Sequence, residues 1–211
     1  MSKLEFDVTD LDTPIVLRRP GWGDFAAWLD SFLAGQTGDA QHNLSTGCAV
    51  SPGAGELAAI FADGFGFLPG DLSNALLEAA GLPGGMSGLG EVYALVGAGE
   101  AESKGVPREM IEAARKRTRR PFFALTPAGW WACKAPGTAE ASAYEDAITA
   151  AVQGRGSRAG ALRALTLSCV LSPDPEVAKA QIEETPAIPY MLARALREAA
   201  GEGKAVARVK G

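Results

Sequence analysis

The chain is poor in the side chains on which most nucleophilic catalysis and zinc binding depend: its 211 residues hold one histidine, His42, and three cysteines, Cys48, Cys133 and Cys169. A general base or charge-relay partner would have to be His42 itself, no serine lies in a GxSxG elbow, and no HExxH is present. These absences leave no coherent reacting constellation, so the expectation is a protein that is not an enzyme and holds no metal and no cofactor. His42, in DAQHNLSTGC, is read as an exposed or capped residue of a second helix rather than a ligand. The cysteines form no CxxC pair, and an odd, widely spaced count suits a reducing compartment. No run approaches the roughly 20 apolar residues of a spanning helix, which argues against a membrane protein. The opening MSKLEFDVTDLD is acidic where an export signal would be basic and then apolar, which predicts a cytoplasmic protein.

Two phosphate-binding readings also fail. Val92–Glu102 looks like a strand entering a dinucleotide loop, but Glu102 stands where the third glycine of GxGxxG belongs, and Glu100 and Glu102 would repel a pyrophosphate. The basic cluster Arg115, Lys116, Arg117, Arg119 and Arg120 is the strongest candidate for phosphate contact, and such contact would be salt-dependent. It lacks interleaved aromatic residues and lies where a helix end is basic anyway, so a solvated helix end or a contact to an acidic protein patch is favoured over nucleic acid. That patch exists within the chain: residues 1–100 carry 3 Lys/Arg against 13 Asp/Glu, whereas residues 101–211 carry 17 against 12. Opposite signs in the two halves favour docking or self-association, with uneven solubilising charge as the alternative.

What the chain does contain is an internal repeat. Cys48-Ala-Val-Ser51-Pro52 returns as Cys169-Val-Leu-Ser172-Pro173, followed by Glu56 with Glu176, Ala58 with Ala178, and Pro69 with Pro189. The match ends in LxxALxEAAG, Leu72–Gly81 and Leu192–Gly201. Upstream, Pro14–Trp22 is aligned with Pro121–Trp130, which places the second copy's additional residues in Lys134–Glu145 as an inserted loop.

Periodicity converts this repeat into elements. Ile15–Leu17 reads as a short strand, Trp22, Phe25, Leu29, Phe32 and Leu33 as a helical stripe, and the segment up to the cysteine as a second helix. The cysteines read as core residues. Ser-Pro reads as the start of a third helix, and LxxALxEAAG as a fourth stopped by Gly81 or Gly201. In FADGFGFLPG, Phe61, Phe65, Phe67 and Leu68 are read as sealing the core, with an exposed contact patch as the alternative. The expected fold is mainly α with short β segments. It comprises two tandem small helical modules, residues 1–82 and 119–203, joined over residues 83–118 by a glycine-rich linker and a bridging helix. Glu91–Gly99 is read as helical, as is Pro107–Thr118, and residues 204–211 are expected to be a mobile tail unless a partner orders them.

The run into RRPGWGDF, the helix ending in Cys-Ala-Val-Ser-Pro and the closing PxxLxxALLEAAG together resemble the tail assembly chaperones of tailed bacteriophages. LTLSCVLSPDPEVAKAQIEETPAIPYMLARALREAAG carries the likeness best. The likeness spans roughly residues 13–81 and 119–201; a usual member has one such unit, so the duplication departs from the family. The resemblance implies a protein that keeps the tape-measure protein soluble while the tail tube assembles around it, acting in the host bacterial cytoplasm. It transfers no functional residues. Partner contacts are instead expected at Phe65, Phe67 and Tyr190, near the Pro69 and Pro189 turns, and at the Arg115–Arg120 cluster. Two alternatives compete: a structural component of the tail or baseplate, which would remain in the virion, and a nucleic-acid-binding adaptor acting through Arg115–Arg120.

Overall fold

The computed structural model describes residues 3–8, 11 and 13–200. It is mainly helical with two small antiparallel sheets, and it divides into two compact units: residues 1–91 with 182–187, and residues 92–181 with 188–211.

Unit 1 opens with β1 (Lys3–Phe6) and β2 (Ile15–Arg18), followed by α1 (Trp22–Leu33), α2 (Thr37–Gly47) and β3 (Ala49–Ser51). Its strands run β1-β2-β3, with a bulge between Val16 and Leu17 where β2 meets β3. α3 (Ala54–Ala62) and α4 (Leu68–Ala79) follow. Of the predicted stripe of α1, Phe25 and Leu29 are buried with Ile15, Leu17, Leu57, Leu72 and Leu76, Trp22 and Phe32 are half-buried and Leu33 is exposed; Trp28, outside that stripe, is buried as well. α4 ends as its sequence predicts. Gly81 takes φ +93°, its N–H bonds Glu78 and that of Leu82 bonds Leu77, the paired bonds of a Schellman stop.

The glycine-rich run expected as linker is built into unit 1. Gly85–Gly90 forms a 3-10 turn whose Met86 N–H donates to Asn74 Oδ1 at 2.9 Å. Backbone approach is so close there that a β-carbon on Gly88 would lie 1.8 Å from the Pro83 carbonyl oxygen. Small size, rather than flexibility, is what this turn requires.

Unit 2 contains β4 (Leu95–Gly97), α5 (Arg108–Arg117), β5 (Pro121–Thr126), β6 (Gly129–Lys134), α6 (Thr138–Val152), α7 (Arg158–Cys169) and β7 (Val170–Ser172). α8 (Pro175–Glu184), whose last residues Ile182–Glu184 fall to unit 1, and α9 (Ile188–Ala200) complete the described chain. The strands run β4-β5-β6-β7, and α5 lays Ile111 and Ala114 on the sheet against Phe123 and Ala132. The segment read as a bridging helix thus covers a sheet face. Leu95–Gly97, expected to be helical, is an edge strand paired with β5, because its apolar run supplies the sheet with a third ladder partner.

Strand pairing corrects the upstream half of the repeat. Trp130 does not lead a helix as Trp22 does; it is the second residue of β6, after a tight turn in which Gly129 takes φ +108°. The strand that pairs with β7 is β6, bulged between Ala132 and Cys133, just as β2 pairs with β3 and bulges between Val16 and Leu17. Arg18-Arg19-Pro20-Gly21 therefore corresponds to Lys134-Ala135-Pro136-Gly137. Lys134–Glu145 is no inserted loop; it is the end of β6 and the start of α6, and the extra length lies in α6, at 15 residues against 12 in α1, and in the turn after it.

The Ser-Pro pairs are also displaced from their expected role. Ser51 and Ser172 end the short strands, both Ser-Pro bonds are cis, and the helices start later, at Ala54 and Pro175. Glu56 satisfies the Gly53 N–H at 3.0 Å, and Asp174 that of Glu176 at 3.0 Å. The Gly201 stop and the tail 204–211 lie outside the described residues.

Candidate functional site

In each unit a charged pair ties a strand to the helix that follows it, β2 to α1 in unit 1 and β6 to α6 in unit 2. In unit 1, Arg18 holds Asp24 and also donates to the Gly47 carbonyl at 2.8 Å. In unit 2, Lys134 holds Glu140 in the same way. Each acid also accepts the N–H of the glycine three residues before it, Gly21 or Gly137, at 2.9 Å. Burial disfavours the Asp24 anion, but the donors from Arg18 and Gly21 outweigh it and hold the carboxyl below its ordinary value. The Lys134 ammonium lowers that of Glu140.

Beside each pair lies a groove. The α1–α2 groove has a volume of about 150 Å³ and is lined from α1 by Gly23, Asp24, Ala27, Trp28 and Ser31. The α6–α7 groove has a volume of about 330 Å³ and is lined from α6 by Ala139, Glu140, Ala143, Tyr144 and Ala147, the residues at the same five positions after the shared Pro-Gly. From the second helix come Asn43 and Leu44 in unit 1, and in unit 2 Ala164 and Leu165, at the same distances ahead of Cys48 and Cys169, among other residues. The two differ in depth. Trp28 is 1% exposed and fills unit 1, with an indole N–H that has no acceptor among the described residues, whereas α6 has no buried residue at all. Tyr144 therefore stands at the side of an open groove, with its hydroxyl bonded to Arg197 and its ring under that guanidinium, 5.1 Å from centroid to Cζ.

None of the three cysteines lines either groove. Cys48, Cys133 and Cys169 are all buried and free, and burial pushes the Cys48 thiol up to about 12 and raises the other two as well. Three residues before each repeat cysteine a buried hydroxyl donates to the carbonyl of the helix-start proline: Ser45 to Pro69 at 3.2 Å, Thr166 to Pro189 at 3.3 Å. Sequence reasoning overlooked these ties, although Ser45 and Thr166 occupy matching places ahead of the Cys-Ser-Pro anchors. His42 lies on α2, half-buried and edge-on to Phe61 at 5.5 Å.

The expected contact residues do not gather in one place. Phe61 is buried and Phe65 half-buried, while Phe67 is 95% exposed. Phe67 precedes Pro69 by two residues, but Tyr190 follows Pro189 by one, so they hold different positions; the half-buried Tyr190 ring lies against Arg194 at 5.5 Å. Arg115, Lys116, Arg117, Arg119 and Arg120 are exposed, and two of them act within the fold, Arg115 donating to the Ala98 carbonyl and Arg117 to that of Leu171. No helix among the described residues is long and apolar enough to cross a membrane, and no group of three or more His, Cys, Asp and Glu there is placed to hold a metal ion. Comparison of the chain with protein-family models, curated proteins and solved structures finds no match.

Proposed function

We propose that this chain is a tail assembly chaperone of a tailed bacteriophage, made of two copies of one helical module, and that it binds apolar segments of the tape-measure protein while the tail tube forms. One observation carries the reading: the groove between α1 and α2 in unit 1 has a counterpart between α6 and α7 in unit 2 on position-matched residues, each beside a strand-to-helix charged pair. A duplicated groove suits a long, repetitive partner, because two weak sites on one chain raise the effective concentration of each segment for the second. Small side chains in the α6–α7 groove admit the apolar stripe of a helix. Phe67, presented almost fully to solvent, adds a second apolar contact.

Co-expression with the neighbouring tail genes tests this. The tape-measure protein should stay soluble and co-purify only when this chain is present; a tape measure equally soluble or equally aggregated without it removes the proposal. Mass spectrometry of purified particles tests the structural alternative, since a defined copy number in the tail makes the chain a tail component. With Arg115 and Arg117 committed to carbonyl groups, the nucleic-acid reading has only part of its cluster left.

A further inference from the structure

The sheet of unit 1 has a free edge where that of unit 2 has a strand. Lys3 faces Arg18 across β1 and β2, and Pro121 faces Lys134 across β5 and β6, so β1 and β5 hold the same place beside β2 and β6. Beyond β5 lies β4, antiparallel to it, with Leu95 opposite Ala124, Val96 opposite Phe123 and Gly97 opposite Phe122. Beyond β1 no strand lies among the described residues, and an edge strand presents backbone N–H and C=O groups to whatever strand can pair with it. The opposite edges, β3 and β7, are open in both units, so only the outer edge of β1 sets the two sheets apart.

The side chains of β1 define the strand that fits there. Lys3 and Glu5 are exposed on one face, and Leu4 and Phe6 are half-buried on the other. The face that is charged here is apolar in unit 2, where Pro121 and Phe123 at the matching register are buried and α5 packs on Phe123. Neither Lys3 nor Glu5 has an ion-pair partner among the described residues. A strand antiparallel to β1 must therefore offer an anion to Lys3 and a cation to Glu5 on one face, with an apolar residue between them on the other. β1 is itself such a strand. When two copies run antiparallel about a twofold axis through Leu4, Lys3 meets Glu5 of the second copy, Glu5 meets its Lys3, and the two Leu4 side chains meet on the opposite face.

We propose that the outer edge of β1 is a self-association site, at which two copies of the chain join their three-stranded unit 1 sheets into one continuous sheet with the two β1 strands at its centre. A strand of four residues supplies few cross-strand pairs, so the dimer is weak and reversible. Charges on an edge strand guard against indiscriminate pairing, and here the same two charges select the register in which both are satisfied. The inference uses neither groove and does not rest on the chaperone reading.

Sedimentation of the full chain at rising concentration tests it. The chain should pass from monomer to dimer, and Lys3→Glu or Glu5→Lys alone, which turns both attractive pairs into repulsive ones, should weaken the dimer about tenfold. Combining the two substitutions restores the pairs with their signs exchanged and should restore the dimer. A chain that stays monomeric at every concentration, a dimer indifferent to the single reversals, or a double variant that fails to recover it overturns the proposal. Leu4→Cys supplies a second measurement that captures a weak dimer: the two thiols meet at the axis and should close an interchain disulfide under mild oxidation about tenfold faster than in Leu4→Cys with Glu5→Lys. The native cysteines are buried and do not compete. Equal rates in the two variants overturn it as well.

Discussion

Arg18 grips Asp24 through two parallel hydrogen bonds, Nη1 to Oδ2 at 2.6 Å and Nη2 to Oδ1 at 2.8 Å. The fork joins the last residue of β2 to the first turn of α1, where an anion also meets the positive end of the helix. Asp24 Oδ2 accepts the Gly21 N–H as well, so one carboxylate orients the strand, the turn and the helix that lines the groove. Unit 2 solves the same junction with Lys134 and Glu140, a point charge in place of a fork.

Asp24→Asn should lower the stability of the chain by about 1–2 kcal/mol at neutral pH, a figure reduced for the partial exposure of the pair. Because the folded-state pKa of Asp24 is depressed, its contribution is complete above the ordinary carboxyl value of about 3.9 and disappears as pH falls through the folded value. Urea titrations at neutral and strongly acidic pH check the sign: the gap between wild type and variant should close in acid.

Equivalent aromatic residues should differ in cost. Trp28→Ala removes a side chain that is 1% exposed and should cost about 3–5 kcal/mol. Tyr144→Ala, on a helix without a buried residue, should cost about 1 kcal/mol. Equal losses in denaturant titrations would mean that α6 packs as tightly as α1.

Gly88→Ala and Gly90→Ala separate a built turn from a flexible connection. A β-carbon at Gly88 meets the Pro83 carbonyl, whereas one at Gly90 meets nothing within 4 Å. The first should destabilise by about 1–3 kcal/mol and the second by much less, read from thermal melts; a linker would tolerate both.

Phe67→Ser should leave stability within about 0.5 kcal/mol, since the ring is almost wholly in solvent. Under the chaperone reading the same variant should recover less soluble tape-measure protein in co-expression. Undiminished recovery would remove Phe67 from the contact surface.

Much of the local structure was legible in the residues. The stripe of Phe25 and Leu29, Pro107 at the start of α5, the burial of Cys48 and Cys169 and the stop at Gly81 all follow from short-range periodicity and capping. The upstream repeat was not, because β5 and β6 both present aromatic-rich runs, and proline-to-tryptophan spacing cannot say which of them joins β7. The candidate grooves were not legible either. Their linings combine small residues of one helix with residues about twenty positions later on another, and alanine or glycine carries no signal until two backbones are brought together.

The amino-acid sequence by itself determined the helices α1, α4 and α5, the stop at Gly81 and the recurring Cys and Ser-Pro anchors, since those depend on hydrogen bonds and side-chain periods within a few residues. Tertiary structure alone decided which strand pairs with which, that the glycine-rich run packs on α4, and that α6 borders an open groove where α1 buries a tryptophan. Those outcomes depend on contacts between residues far apart in the chain, and on the volume left when side chains of different size take matching places.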